Sequence, residues 1–118
     1  MSGNIESGMA GQQAAEEYLR RKGFQVIERN YRIRTGEIDL IARDGDYIVF
    51  TEVKYRSNSK YGLPREAVTP AKQRRIKKTA LHYITLRHMT GRDCRFDVVE
   101  VTGGDGELFV THIENAFW

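Results

Sequence analysis

Two short segments of this 118-residue chain carry residue types that could do chemistry, Gly36-Glu37-Ile38-Asp39-Leu40 and Thr51-Glu52-Val53-Lys54. Both set ionised side chains among residues that otherwise suit a core strand. Glu52 and Lys54 are two apart, so on a strand they point to one face. Taking carboxylates out of water is costly unless a cation or hydrogen bonds compensate. A divalent metal compensates well, and oxygen-only donors favour magnesium or manganese. Such an ion polarises water and offsets the extra charge of a phosphate under attack. Lys54 would add a fixed positive charge beside the phosphate. The competing interpretation is structural: Glu52 and Lys54 form a solvated pair on an exposed sheet face, and Asp39 ends a strand.

The turn between the segments decides whether they meet. If Asp44-Gly45 is a two-residue hairpin turn, Arg43 faces Asp46, Asp39 lies opposite Phe50 and Glu37 opposite Glu52. Asp39, Glu52 and Lys54 then share a face, with Glu37 beside them. A turn longer by two residues keeps that parity, and a slip of one destroys it.

The elements around this hairpin follow from periodicity and punctuation. A helix is expected from Gly8 or Met9 to Lys22, with Ala14, Ala15, Tyr18 and Leu19 as its apolar stripe and Gly23 as its stop. Strands are expected at 24–31, 36–42 and 47–55. A loop at 57–63 leads to a second helix, capped by Thr69 with Pro70 in its first position. That helix is expected to reach about His88, with Ile76, Ala80, Leu81, Tyr83 and Ile84 inside. Strands at 95–102 and 108–113 follow, joined by Gly103-Gly104-Asp105-Gly106. The order α-β-β-β-α-β-β predicts an α/β fold, a central mixed five-stranded sheet flanked by helices. Residues 1–7 read as a flexible polar lead-in and 8–118 as a single domain.

Positive charge is concentrated in two places, although the net charge is only +3. Arg29, Tyr31, Arg32 and Arg34 lead into the acidic segment, a basic and aromatic mix suited to a phosphate backbone. Lys72, Arg74, Arg75, Lys77 and Lys78 crowd the N-terminal half of the second helix. Cations are disfavoured at that end of a helix dipole, which points to a use such as phosphate contact. A solvated edge strand and an ordinary polar helix face are the plain alternatives. His82, His88 and His112 share no spacing and read as packing or surface residues. Trp118 reads as a terminal core plug.

Composition excludes other classes. Hydrophobic residues at 40% and charged residues at 30% suit a folded domain rather than a disordered tail. The apolar runs are far too short for a membrane helix. The single cysteine, Cys94, can form neither an internal disulfide nor a zinc cluster. With no leader pattern, this points to the cytoplasm. Neither a membrane nor a small-molecule cofactor is expected as a partner.

Several segments carry a resemblance. They are Gly8-x-x-Gly11, Tyr18-Leu19, Glu28-Arg29-Asn30-Tyr31-Arg32, Gly36-Glu37-Ile38-Asp39-Leu40-Ile41, Glu52-Val53-Lys54, Ala67-Val68, Lys72-Gln73, Arg95-Phe96-Asp97-Val98 and His112-Ile113-Glu114-Asn115-Ala116-Phe117. Over Gly8 to Phe117 the chain resembles the YraN-like family of small bacterial proteins. That resemblance implies a restriction-endonuclease-like fold related to Holliday-junction resolvases. The implied motif, an acidic residue and then Asp/Glu-x-Lys, maps onto Asp39 and Glu52-Val53-Lys54. Asp39, Glu52 and the Val53 carbonyl would hold Mg2+ or Mn2+, and Lys54 would assist the attacking water. Gln73 is implied near the active centre, because resolvase relatives use this helix there. Two departures stand out. Ile38 replaces the proline that often precedes the first acidic residue. Gln12 stands where relatives carry a first-helix glutamate, and glutamine brings no negative charge.

The implied activity is metal-dependent DNA endonuclease action on branched or damaged DNA, with a homodimer as the implied assembly. The alternatives are a non-catalytic nucleic-acid-binding module that keeps the nuclease fold, favoured by Gln12, and a structural protein docking through the same surface. Nuclease assays with magnesium and manganese separate the first from the others.

Overall fold

The computed structural model describes residues 3–56, 68–104 and 106–117. The expected loop at 57–63, Ala67, Asp105 of the glycine-rich connection and Trp118 lie outside the described residues. The elements are α1 (Gly3–Arg21), β1 (Gln25–Ile33), β2 (Gly36–Asp44), β3 (Tyr47–Arg56), α2 (Pro70–Leu86), β4 (Cys94–Gly104) and β5 (Glu107–Ile113). The five strands form one sheet in chain order. β3 and β4 pair in parallel, and every other neighbouring pair is antiparallel. The mixed α/β architecture is therefore the expected one.

Helix α1 begins at Gly3, ahead of the expected Gly8 or Met9. It stops where Gly23 takes φ +98°, with Phe24 N–H donating to Leu19 O (2.9 Å) and Gly23 N–H to Arg20 O (3.0 Å). Helix α2 starts as the sequence predicts: Thr69 Oγ1 accepts from Lys72 N–H at 3.2 Å, and Pro70 occupies the first turn. Its expected end at His88 is two residues too late. His88 adopts φ +56°, and Met89 N–H closes back onto Ile84 O at 2.8 Å, so the left-handed residue terminates the helix at Leu86.

The helices cover opposite faces of the sheet. Ala15 and Leu19 of α1 pack with Leu40, Ala42, Val49, Val99 and Val101. Ile76, Ala80 and Tyr83 of α2 pack with Ile38, Ile41, Ile48, Phe50 and Val98. Leu81 does not belong to this inner stripe; its side chain is 63% exposed. It follows Ala80 by one residue, and a step of about 100° around the helix turns it to solvent. α2 lies close on β2 at Gly36. A Cβ there would stand 2.4 Å from Thr79 Oγ1 and 3.1 Å from the Arg75 carbonyl oxygen.

The β2–β3 hairpin is offset from the expected register. Asp44 pairs with Tyr47, so Gly45 and Asp46 form the turn and Ile41, not Asp39, faces Phe50. Only Gly45 of these residues has positive φ, +59°. An Asp44-Gly45 turn of type I′ needs positive φ at both residues, whereas glycine in the first central position suits type II′. The offset is even, so the expected parity of Asp39 and Glu52 survives.

The same register splits the sheet. β2 pairs with β3 only over Leu40 to Asp44, while its first residues, down to Gly36, stay paired with β1. β3 continues along β4 as far as Arg56. The start of β2 and the end of β3 thus belong to different prongs of a fork, and Asp39 stands at its crotch.

Candidate active site

The fork brings the two acidic segments together. Where the β2–β3 pairing stops, Val53 N–H donates to Asp39 Oδ2 at 2.8 Å. A backbone donor from one prong thereby holds the carboxylate of the other. Glu52 is only 5% exposed although it is ionisable. Its Oε2 receives Lys72 Nζ at 2.5 Å and Lys54 Nζ at 3.4 Å. Asp39, Glu52, Lys54 and Lys72 therefore form one electrostatic unit contributed by β2, β3 and α2. Glu37 adds its charge from the start of β2.

Burial and charge pull these groups from their ordinary behaviour. Burial, reinforced by the Glu52 charge, raises the Asp39 pKa to about 7, against the lowering effect of the Val53 hydrogen bond. Burial lowers the Lys54 pKa, and the Glu52 charge opposes it only in part. Burial also works against charged Lys72, but its bond to Glu52 prevails and its pKa is raised. Two carboxylates whose mutual repulsion is felt this strongly favour an added cation.

β3 continues the charged row on the same face. Arg56 Nε lies 2.7 Å from Glu100 Oε2, and Glu100 stands in register with Lys54 on the parallel neighbour.

The other expected site residues divide. Gln73 turns its amide to the Val68 carbonyl (2.9 Å) and ties α2 to the segment before it. Gln12 lines an open groove between α1 and the β1–β2 prong, with Glu16, Arg29, Arg32 and Glu37 among the walls. Glu37 borders both this groove and the Asp39 cluster. Glu16 binds both Arg29 and Arg20, and Arg32 Nη2 lies 2.8 Å from Glu37. Tyr31 is half-buried; its hydroxyl meets His82 Nδ1 at 2.6 Å, and its ring stands edge-on to Tyr83. Of the first basic stripe, Arg34 alone is exposed without a described ion pair. On α2, by contrast, Arg74, Arg75 and Lys78 are exposed, Lys77 is half-buried, and none has an ion pair among the described residues. Lys72 leaves that stripe for the acidic cluster.

Sequence reasoning missed a second buried network. Asp97 is fully buried and accepts from Arg95, His112 Nε2 (2.7 Å) and Asn115 N–H (2.9 Å). Lys22 Nζ lies 3.1 Å from His112 Nδ1, so Nδ1 accepts there and Nε2 carries the proton that Asp97 receives. The alternation Arg95-x-Asp97 in a strand was the available signal.

Comparison with known proteins places this arrangement in a family. The uncharacterised protein family UPF0102 matches residues 11–101. The chain belongs to it. This is the YraN-like family that the motifs resemble. A UPF0102 protein of Symbiobacterium thermophilum is 53% identical over 111 residues, spanning 93% of this chain and 94% of its own length. One of Syntrophus aciditrophicus is 51% identical over 117 residues, spanning 99% and 92%. One of Geobacter sulfurreducens is 46% identical over 112 residues, spanning 93% and 87%. Asp39, Glu52, Lys54 and Lys72 all fall inside the UPF0102 match. Among the described residues no helix is long and apolar enough to cross a membrane.

Proposed function

We propose that the protein is a metal-dependent DNA endonuclease that hydrolyses phosphodiester bonds in branched or damaged DNA. One observation carries this reading: a buried carboxylate, a half-buried one and two ammonium groups meet where β2 and β3 part. The resemblance to resolvases and the matching element order support it.

The residues fit a magnesium or manganese ion. Asp39 and Glu52 offer oxygen donors only, their repulsion calls for a cation, and an ammonium group already stands against Glu52. Asp39, Glu52 and the Val53 carbonyl would hold the ion. When bound, it supplies Lewis acidity toward water and the phosphate. The rest falls to the chain. Val53 N–H fixes the Asp39 carboxylate, which removes a rotamer cost from ion binding. Lys54 keeps an ammonium beside Glu52, where it can donate to the attacking water or to a phosphoryl oxygen. Its lowered pKa makes proton exchange with that water easier than for an ordinary lysine. The DNA backbone would cross the first half of α2, where Arg74, Arg75 and Lys78 are uncommitted, rather than β1, where Glu16 and Glu37 hold the arginines.

Incubation with duplex, single-stranded and four-way DNA in magnesium or manganese tests the reading. Cleavage should occur with one of these substrates and vanish in Asp39→Asn and Lys54→Met. Gln12, neutral on the groove that borders the cluster, favours a second reading as a non-catalytic DNA-binding module. Salt-sensitive gel shifts in EDTA, with no cleavage under any divalent ion, would select it.

A further inference from the structure

We propose that Lys72 is an exchangeable counter-ion: it holds Glu52 in the metal-free protein and passes to a DNA phosphate when a divalent ion takes Glu52. The inference rests on the metal-dependent reading and adds a mechanism that couples metal to DNA.

Lys72 occupies an electrostatically poor place. It is the third residue of α2, whose N-terminal dipole repels cations, and its own N–H is one that Thr69 caps. Glu52 is the partner that compensates, at 2.5 Å. That carboxylate is shared with Lys54 at 3.4 Å, so two ammonium groups already crowd one buried acid. A divalent ion on Glu52 would make three positive centres, and one must leave. The side chains are not equally free. Lys72 is 36% exposed and Lys54 26%, against 5% for Glu52. Lys72 also springs from a helix end, whereas Lys54 is fixed in a strand paired on β4. Lys72 is therefore the group that leaves. Its helix tells where it goes: Arg74, Arg75 and Lys78 lie within the next two turns, exposed and without described ion pairs. A released ammonium joins them as one more phosphate contact. Metal binding thus raises the positive charge offered to DNA by more than the ion alone.

Manganese calorimetry on wild type, Lys72→Met and Lys72→Arg tests the exchange, together with DNA binding in EDTA and in calcium. Loss of the competing ammonium should tighten manganese binding in Lys72→Met by about 10- to 100-fold, the range of a charge-assisted hydrogen bond. Lys72→Arg should stay near wild type. The log–log salt slope of wild-type DNA binding should steepen by about one on going from EDTA to calcium, and this extra step should be missing in Lys72→Met. Manganese binding by Lys72→Met but not by wild type would support the exchange equally. Equal manganese affinity in wild type and Lys72→Met would overturn it while leaving the nuclease reading intact. If no variant binds manganese and none cleaves DNA, both fall.

Discussion

Asp97 is a buried acid and Asp39 a half-buried one, and they respond to pH in opposite directions. Asp97 starts with a burial cost that raises its pKa, but His112, Arg95 and Asn115 N–H outweigh it and the net shift is downward. A lowered folded-state pKa contributes stability above the ordinary value of 3.8, which is lost as pH falls through the depressed value. Asp97→Ala should cost about 3–5 kcal/mol at pH 7, because it leaves His112 Nε2–H and Asn115 N–H without their acceptor and removes one of the carboxylates around Arg95. Thermal melts from pH 2 to 7 should show the difference from wild type shrinking at the acid end. Asp39 has the reverse sign. Its pKa rises from 3.8 to about 7, so in the metal-free protein its contribution is best below pH 4 and is lost as pH climbs to 7. Asn can still accept from Val53 N–H. Asp39→Asn should therefore stabilise the metal-free protein at pH 8 by about 1–3 kcal/mol, while abolishing cleavage. Lower stability of the variant at pH 8 in EDTA would overturn the assignment of Asp39 as a strained acid.

The clustering of Asp39 with Glu52 and Lys54 was legible because Glu52-x-Lys54 and Asp39 interrupt apolar strands. Lys72 was not, because reach is decided by packing. Its periodicity places it among the basic residues of α2, and only the seating of that helix against β2 brings it to Glu52. The hairpin offset was illegible for a related reason. Asp44-Gly45 and Gly45-Asp46 are both acceptable turn pairs, and backbone φ alone separates them.

At the scale of elements, the contact of α2 with β2 depends on Gly36. The added methyl of Gly36→Ala would collide with Thr79 Oγ1 and press on the Arg75 carbonyl, a backbone atom that cannot simply rotate away. Denaturant melts should show a loss of about 1–3 kcal/mol, the usual cost of overpacking. The displacement should also lift the first turn of α2, so the Lys72–Glu52 contact lengthens. Cleavage should then fall even at temperatures where the variant is fully folded. A variant as stable and active as wild type would show that α2 has room to spare. Element order and the Thr69–Pro70 start of α2 were plain from sequence because each follows from local backbone chemistry. The outward turn of Leu81 was not, since a leucine next to an inner stripe fits either side until the neighbouring sheet is known.

For the molecule as a whole, the two basic stripes have different fates. Glu16 and Glu37 neutralise much of the β1 stripe, and the α2 stripe stays open. DNA affinity should accordingly fall steeply with salt, with a log–log slope of about −3 to −4 if four phosphates are contacted. Arg74→Glu with Arg75→Glu should weaken binding to all sequences alike, whereas Arg29→Ala should change it about twofold or less. A larger loss from Arg29→Ala than from the double reversal would place the DNA on the opposite side of the sheet.

The parallel pairing of β3 with β4 also bears on how the protein is made. These strands are separated in the chain by the whole of α2, yet their pairing runs from Ile48 to Arg56 along the middle of the sheet. The β1–β2–β3 meander closes through neighbouring residues and can form early, but β3 then presents an unpaired apolar edge until the far side of α2 arrives. During synthesis, the ribosome must release β4 before Val49 and Phe50 gain their second neighbour and the Glu52–Lys54 segment its first. Emerging chains arrested after β3 should therefore be the species that aggregates or recruits chaperones.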